Sequence, residues 1–476
     1  MKTFRLTDTA FGELAAGRPS PATVGVLRRA QASRHLLLLS EIRKLGGPIP
    51  DPLQLYDPMA ALHTSVSLAA LRAGAAPPSA RVAAGHLLTA THDGRTLRVR
   101  LEDTDPLRSH LGLAPSRQLT PEEVAQWQRL LSSAWELLTI RHRSAAEVLA
   151  ATLRVIVPVE PDPGSNGLSA TSAEAFGAVA ISTPADPRSF AVGLLHECQH
   201  SLLNAIGTLF DLVASGGARV CSPWRDDPRP LSGLLHGAYA YQSVTRFWRT
   251  EAAARIPLQR SGPGASGARP AGGGPAELRG RLAEFEFARW RPAVGSAAET
   301  LLASGRLTAP GTRLAQVMRD EMAGWAGDAV EPRVAWLAAA ANAEHTARWR
   351  LSNLVVGADT VAELVAAWQQ GRPPPAGVAA ELRPSAGRRL ASSERLTLVH
   401  RALREGGDDP YLHDEAGTPR AAYTNDDLDR WSGMAVRSSH EALRERPELV
   451  RAVWLALGKV GLDEVAAWLS GSLMSA

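Results

Sequence analysis

The stretch FAVGLLHECQHSLLNAI, from Phe190 to Ile206, organises the chain around it. It contains an H-E-x-x-H pattern, His196 to His200, among apolar residues at helical spacing. Residues four apart on an α-helix point to nearly the same side, so both imidazoles can bind one metal ion. The sequence therefore predicts a metal-binding helix; the alternative is an ordinary helix with two surface histidines.

Two kinds of metal chemistry use such a pair of histidines. In zinc hydrolysis, His196 and His200 bind the ion and Glu197 acts as a general base on a bound water. In a non-haem iron centre, two histidines and a third ligand leave positions open for oxygen and a co-substrate. Imidazoles accept either metal, so the motif alone leaves both chemistries open.

Composition narrows the class of protein. A chain of 476 residues can bury a large core and form two or three domains. The net charge of +4 does not indicate a nucleic-acid binder. Cys198 and Cys221 are too few for a disulfide framework, which favours a reducing cytoplasm. We find no signal-peptide core and no apolar run of 18 residues, so no membrane span is expected.

Short strands are predicted beside the metal helix. Arg154–Val159 and Phe176–Ser182 are apolar runs bounded by turn residues, and Leu97–Leu101 alternates with period two after the Asp93–Gly94 turn. A strand at the edge of such a sheet often holds an extended peptide by strand addition.

The rest of the chain is predicted to be helical. Thr120, Pro121 and Glu123 form a capping box that starts a helix ending near Arg141. We expect the metal helix to continue to Val213, and a polar loop from Trp224 to enter a second helix that ends near Ala254. Further predicted helices are Thr23–Leu45, Asp57–Ala73, Ser144–Leu153, Glu277–Trp290, Ala297–Ser304, Arg313–Met322, Val334–Leu351 and Thr360–Trp368.

The predicted fold is mainly α with a small β-sheet (α+β), in which the metal-binding helix lies next to the sheet and the C-terminal half is helical. We divide the chain into a helical N-terminal region with short strands at 1–150, a metal-site core at 151–260, a flexible low-complexity loop at 261–275 and a helical C-terminal region at 276–476.

The combined pattern resembles a known family, the H-E-x-x-H-motif proteins encoded beside radical-SAM maturases of ribosomally made peptides. These are iron- and 2-oxoglutarate-dependent peptide β-hydroxylases. The resemblance lies in Leu194–Val213, Trp224–Trp248 and ARWRLSN at Ala347–Asn353, with LRRAQASRHLLLL at Leu27–Leu39 also similar. Many members have Phe where this chain has Cys198. The middle block is the specific part.

The resemblance implies an activity and its partners. It implies an Fe(II)- and 2-oxoglutarate-dependent dioxygenase that hydroxylates Cβ of one residue, aspartate in some members, in a ribosomally made precursor peptide. It also implies a radical-SAM maturase in the same pathway.

The resemblance also suggests the ligands of the metal. His196 and His200 match the motif, and His236, 36 residues after His200, is the expected third ligand. Two packed helices lie about 8–10 Å apart and can share an ion. Asp211 is the rival, but a continuous helix places it about 16 Å beyond His200, so it would ligate only after a break in the helix.

A site for 2-oxoglutarate needs a cation for the distal carboxylate, which arginine meets best. Arg229 and Arg246 bracket His236 and are the candidates, although each also suits a surface ion pair. Tyr239 and Tyr241 can donate hydrogen bonds to the co-substrate or peptide, and they equally suit core packing.

Three functions therefore stay open. The first is the peptide β-hydroxylase, in which Glu197 orients water or substrate. The second is a zinc metallopeptidase with Glu197 as the general base. The third is a non-catalytic peptide-binding helical protein, for which the helical C-terminal half is suited.

Overall fold

A computed structural model describes residues 4–47, 54–78, 85–162, 167–254, 275–383, 393–405, 411 and 428–473. These residues form a mainly α fold with small β-sheets, as the sequence predicts. The helices are α1 (Asp8–Ala15), α2 (Pro21–Lys44), α3 (Pro58–Arg72), α4 (Pro121–Arg141), α5 (Arg143–Thr152), α6 (Pro187–Gly207), α7 (Leu231–Ala253), α8 (Pro275–Ala303), α9 (Ala309–Gly324), α10 (Pro332–Asn353), α11 (Ala358–Gln369), α12 (Glu394–Glu405), α13 (Leu428–Arg437), α14 (Glu441–Glu445), α15 (Pro447–Leu457) and α16 (Leu462–Leu473). The strands are β1 (His86–His92), β2 (Arg95–Leu101), β3 (Val155–Val159), β4 (Ser169–Ala170), β5 (Ala178–Ser182), β6 (Val220–Ser222), β7 (Arg225–Arg229), β8 (Leu354–Val355) and β9 (Glu381–Leu382).

The chain divides into two compact units that alternate along the sequence. The first comprises Met1–Ser215, Leu235–Thr250 and Ala298–Gly324, and the second comprises Gly216–Leu234, Glu251–Ala297 and Trp325–Ala476. The division into four consecutive regions stays a prediction.

The first unit is built on a five-stranded sheet in the order β1-β2-β3-β5-β4. Strands β2, β3 and β5 are parallel, whereas β1 and β4 run antiparallel to their neighbours. The β1–β2 hairpin turns at Asp93 and Gly94, both with positive φ, as an Asp-Gly turn requires. The predicted strands are therefore confirmed, and the two edge strands, β1 and β4, are additions that the sequence did not predict.

Helices cover both faces of this sheet. On one face, the valines of β3 and the alanines of β5 pack with Met59 and Leu62 of α3. On the other face, α6 packs against β4 and β5 and is surrounded by α2, α4 and α5. A side chain at Gly193 would come within 2.9 Å of Ile181, so this glycine lets α6 approach β5 closely. The metal-motif helix thus lies at the centre of the first unit.

The limits of α6 follow from its sequence only in part. Asp186 caps the N-terminus by accepting from the backbone N–H groups of Arg188 and Ser189, and Pro187 takes the first turn. The predicted continuation to Val213 is wrong, because α6 ends at Gly207. Glycine weakens the last turn, and Val213 instead forms a β-bridge with Leu307.

The segment predicted as a polar loop before the second helix is largely a β-hairpin, which corrects the prediction. β6 and β7 pair antiparallel, and α7 begins two residues after Arg229. In the second unit, His345 of α10 lies 2.7 Å from the carbonyl of Ser222, and Asn353 donates to the carbonyl of Asp226. These contacts from α10 replace the apolar alternation that usually marks a strand.

The two helices predicted on either side of Pro292 form one continuous helix, α8, which corrects the prediction of a break. An interior proline costs about 3 kcal/mol in an isolated helix. Burial of Val294 and Leu301 offsets this cost, because each large buried apolar side chain contributes about 1.5–3 kcal/mol.

The remaining helices of the second unit enclose two apolar clusters. One lies among α10, α11 and α13–α16, and the other lies among α8, α10 and α12. The predicted flexible loop at 261–275 lies outside the described residues, except for Pro275 at the start of α8. In the part of the chain that is described, no helix is both long and apolar enough to span a membrane.

Candidate metal centre

Three imidazoles converge in the first unit. His196 and His200 lie one turn apart on α6, and their Nε2 atoms are 3.1 Å apart. His236 on α7 stacks on His200, with ring centroids 5.8 Å apart. Two nitrogens bound tetrahedrally to one ion at about 2.05 Å lie about 3.3 Å apart. The spacing on α6 therefore fits two ligands of a single metal ion.

The two imidazoles on α6 are in the protonation state that binds metal. Burial, followed by the charge of neighbouring His200, lowers the pKa of His196 to about 4. Burial, followed by His236, lowers the pKa of His200 to about 3. Both rings are therefore neutral at pH 7, and a neutral imidazole is the form that donates a lone pair to a metal. The side chain of His196 remains 21% exposed, so solvent reaches the site.

Glu197 is buried beside the imidazoles and is held by two hydroxyl groups. Ser169 Oγ donates to Oε1 at 2.6 Å, and Thr171 Oγ1 donates to Oε2 at 3.0 Å. Oε1 lies 4.0 Å from Nε2 of His196. Across the described residues, His196, Glu197 and His200 form the one group of three or more His, Cys, Asp or Glu side chains whose ligand atoms are close enough to share an ion. His236 lies outside this group, and its contact with the site is the stacking of its ring on that of His200.

Helix α7 presents different side chains to different neighbours. The ring of Tyr241 meets the ring of His196 edge to face, with centroids 5.1 Å apart. Tyr239 is fully buried, and its hydroxyl donates to the backbone carbonyl of Leu14. Burial raises the pKa of Tyr239. Of the two tyrosines that the sequence offered, Tyr241 is the one in contact with an imidazole.

Arg246, predicted to bind 2-oxoglutarate, has an acidic partner in the first unit. Its guanidinium donates to both carboxylate oxygens of Glu321, at 2.6 and 2.7 Å, and also to the carbonyl of Ala16. Gln242 donates to the same carboxylate. Arg246 therefore joins α7 to α9 and the turn after α1.

Arg229, the other predicted cation, lies in β7 of the second unit. Its guanidinium is 3.4 Å from Asp227 and packs directly against Gly233, where a Cβ atom would come within 2.9 Å of it. Asp227 also accepts from Arg225 at 2.7 Å. The assignment of either arginine to a co-substrate stays a prediction.

Asp211, the rival third ligand, follows the end of α6. It is exposed, and its backbone carbonyl accepts a hydrogen bond from Thr308. His236 is the residue whose ring contacts His200. Sequence reasoning did not identify Ser169 or Thr171, since the only signal is a two-residue spacing inside a loop-rich segment.

Comparison with known proteins does not identify a family. A scan against protein-family models found no match, and a search of curated proteins found none.

Proposed function

We propose that this protein is a metal-dependent enzyme whose ion is bound by His196, His200 and His236. The observation that carries the proposal is the close pair of imidazoles on α6, with the ring of His236 from α7 stacked on that of His200. A pair of surface histidines would be expected to spread apart and to stay protonatable near neutral pH. Here the rings pack together, and burial favours their neutral form by lowering the pKa of His196 and His200.

We further propose that the ion is Fe(II) and that the reaction is a 2-oxoglutarate-dependent hydroxylation of one residue in a ribosomally made precursor peptide. The support is the resemblance of Leu194–Val213 and Trp224–Trp248 to the peptide β-hydroxylases. Bound iron and 2-oxoglutarate together would supply the activation of oxygen needed to hydroxylate a C–H bond. Three protein ligands leave the positions that a co-substrate and oxygen need.

The contacts of Glu197 favour this reaction over hydrolysis. A general base needs a carboxylate oxygen directed at the bound water. Both oxygens of Glu197 accept hydrogen bonds from Ser169 and Thr171, which hold the carboxylate toward β4. In the proposed reaction Glu197 orients water or substrate from outside the ligand set.

The sheet edge supports a peptide substrate. β4 is the last strand in the order and lies against α6. An extended peptide binds such an edge through backbone hydrogen bonds, whatever its side chains. We propose that the precursor peptide binds along β4, which brings one of its residues to the imidazoles.

The 2-oxoglutarate part of the proposal rests on the resemblance. Arg246 and Arg229 both hold acidic partners, Glu321 and Asp227. Use of either arginine would require the co-substrate to compete with a carboxylate. We also propose a cytoplasmic location and a radical-SAM maturase as pathway partner; the free thiols of Cys198 and Cys221 fit a reducing compartment.

A zinc metallopeptidase is the second candidate, and one observation favours it. Glu197 Oε1 is 4.0 Å from His196 Nε2, and Tyr241 lies against the same imidazole. In that reaction Glu197 would act as the base, and Tyr241 would donate a hydrogen bond to the bound water.

Anaerobic loading with Fe(II), followed by oxygen and 2-oxoglutarate, distinguishes the two reactions. The hydroxylase proposal predicts succinate, detectable as slow uncoupled turnover without peptide. Succinate should be lost in His236→Ala and retained in His110→Ala, which changes an exposed histidine. Absence of succinate, together with zinc-dependent cleavage of test peptides that Glu197→Gln abolishes, would establish the peptidase instead.

A further inference from the structure

The two hydroxyls on Glu197 come from the edge strand β4 and the residue that follows it. Residues 169 and 171 are two apart, and side chains two apart in extended chain point the same way. Ser169 pairs with Ile181 of β5, which fixes the strand relative to α6. Ser182 fixes it further, because its hydroxyl accepts from the backbone N–H of Leu168 and its own N–H donates to the Leu168 carbonyl.

The carboxylate that these hydroxyls hold is a strong potential ligand. Glu197 is 2% exposed, and its Oε1 is 4.0 Å from Nε2 of His196, one of the proposed ligands. Carboxylate oxygens bind both zinc and iron readily. A buried carboxylate without donors would need another partner, and the bound cation would be the nearest one.

We propose that Ser169 and Thr171 are positioning residues that keep Glu197 beside the metal but uncoordinated. Their hydrogen bonds occupy one lone pair on each oxygen and hold the carboxylate toward β4. The ion then has three imidazoles as its protein ligands, and its remaining positions stay open. This inference rests on the metal centre proposed above, and it is independent of 2-oxoglutarate.

The two hydroxyls would therefore determine the net charge of the metal site and the number of free coordination positions on the ion. A coordinated Glu197 would add a negative charge and fill one position that a co-substrate or water needs. A held Glu197 keeps its charge close enough to orient a molecule bound there. The identity of residues 169 and 171 thus decides whether the site has three protein ligands or four.

The test is Co(II) binding by the full chain without co-substrate. In Ser169→Ala/Thr171→Val, we expect Glu197 to coordinate as an added charged ligand, so that Co(II) binds at least about tenfold more tightly, a change of about 1.4 kcal/mol. The visible d–d spectrum should change in band position and intensity, because it reports coordination number. Adding Glu197→Gln to the double variant should return both the affinity and the spectrum toward those of the wild type.

Controls keep the outcome interpretable. Ser189→Ala removes an exposed hydroxyl at the start of α6, the helix that carries Glu197. This hydroxyl bonds Asp186, so its loss should leave the Co(II) spectrum unchanged. Circular dichroism of the metal-free variants reports folding. If the double variant does not fold, Glu197→Gln alone decides the question, since an uncoordinated Glu197 predicts a wild-type Co(II) spectrum.

Two results would overturn the inference. One is a folded double variant whose Co(II) affinity and spectrum match the wild type. The other is a changed Co(II) spectrum in Glu197→Gln, which would mean that Glu197 already coordinates. A wild-type chain that binds no Co(II) would instead overturn the metal centre itself. Absence of succinate formation leaves this test unaffected, because no 2-oxoglutarate is used.

Discussion

His200 contacts both of the other histidines in the candidate centre. Its Nε2 lies 3.1 Å from that of His196, and its ring stacks on that of His236. The sequence predicted the first contact from the four-residue spacing. The second contact joins α6 to α7, and the sequence placed it only through the family resemblance. No local periodicity encodes which histidine a neighbouring helix will present.

Tyr239 illustrates a residue whose role the sequence left open. Its hydroxyl donates to the carbonyl of Leu14, and both residues are fully buried. Tyr239→Phe should therefore destabilise the fold by about 0.5–1.5 kcal/mol, because one hydrogen bond is lost while the Leu14 carbonyl keeps the Gly17 N–H as a donor. Urea unfolding measures this change. Metal affinity should stay the same, because the Tyr239 hydroxyl bonds the Leu14 carbonyl and none of the proposed ligands.

The matched change is Tyr241→Phe, which keeps the ring that packs on His196. If Tyr239→Phe left stability unchanged but raised the KM for 2-oxoglutarate, Tyr239 would belong to a co-substrate site as the sequence predicted.

Among the elements, α1 and α2 are joined by Glu13. Hydrogen bonds from the Ser20 backbone, from Thr23 and from the Ser20 hydroxyl lower the pKa of Glu13 below its ordinary value of 4.5. A lowered pKa means that ionised Glu13 stabilises the folded state above pH 4.5 and that this stabilisation is lost as the pH falls through the lowered pKa. The hydrogen bonds between Glu13 of α1 and the start of α2 therefore weaken in acid.

Glu13→Gln tests this pH dependence. At pH 7 the variant should be less stable by about 1 kcal/mol, allowing for solvent around a partly exposed group. The difference between wild type and variant should shrink as the pH falls below about 4.5. Urea midpoints at pH 7 and about pH 3.5 measure it, and a difference that stayed constant with pH would refute the role of the charge.

The chain after α6 is held by α9. A Cβ atom on Gly311 would lie 2.0 Å from the backbone oxygen of Leu212. Gly311→Ala should therefore force a backbone shift and cost about 1–3 kcal/mol or more. Gly324, on the same helix, is the matched control, because a Cβ atom there would meet nothing within 4 Å. Equal thermal stability of Gly311→Ala and Gly324→Ala would contradict this contact.

The sequence predicted elements where local rules were strong. The capping box at Thr120 and Glu123 and the Asp93–Gly94 turn both formed as expected. Local rules failed where distant contacts decide. β7 reads RDDPR and has no apolar alternation, and Asn353 of α10 donates to the backbone carbonyl of Asp226 within it. Arg246 finds its acid 75 residues later in Glu321, a partner that no nearby pattern predicts.

For the whole molecule, metal binding and folding should be linked. An ion that binds the folded state alone stabilises it by about 2.7 kcal/mol at a free concentration of about 100 times Kd. Added Fe(II) under anaerobic conditions, or Zn(II), should therefore raise Tm, and a chelator should reverse the change. His236→Ala should greatly reduce the shift. A Tm that does not depend on metal would argue for the non-catalytic binding protein.

The most direct measurement of the central claim is a count of imidazoles around the bound ion. X-ray absorption of the metal-loaded chain, with metal content determined in parallel, provides it. We predict one ion per chain with three imidazole nitrogens, and two imidazole nitrogens in His236→Ala. The same count in both proteins, or the absence of a stoichiometric ion, would contradict the three-histidine centre.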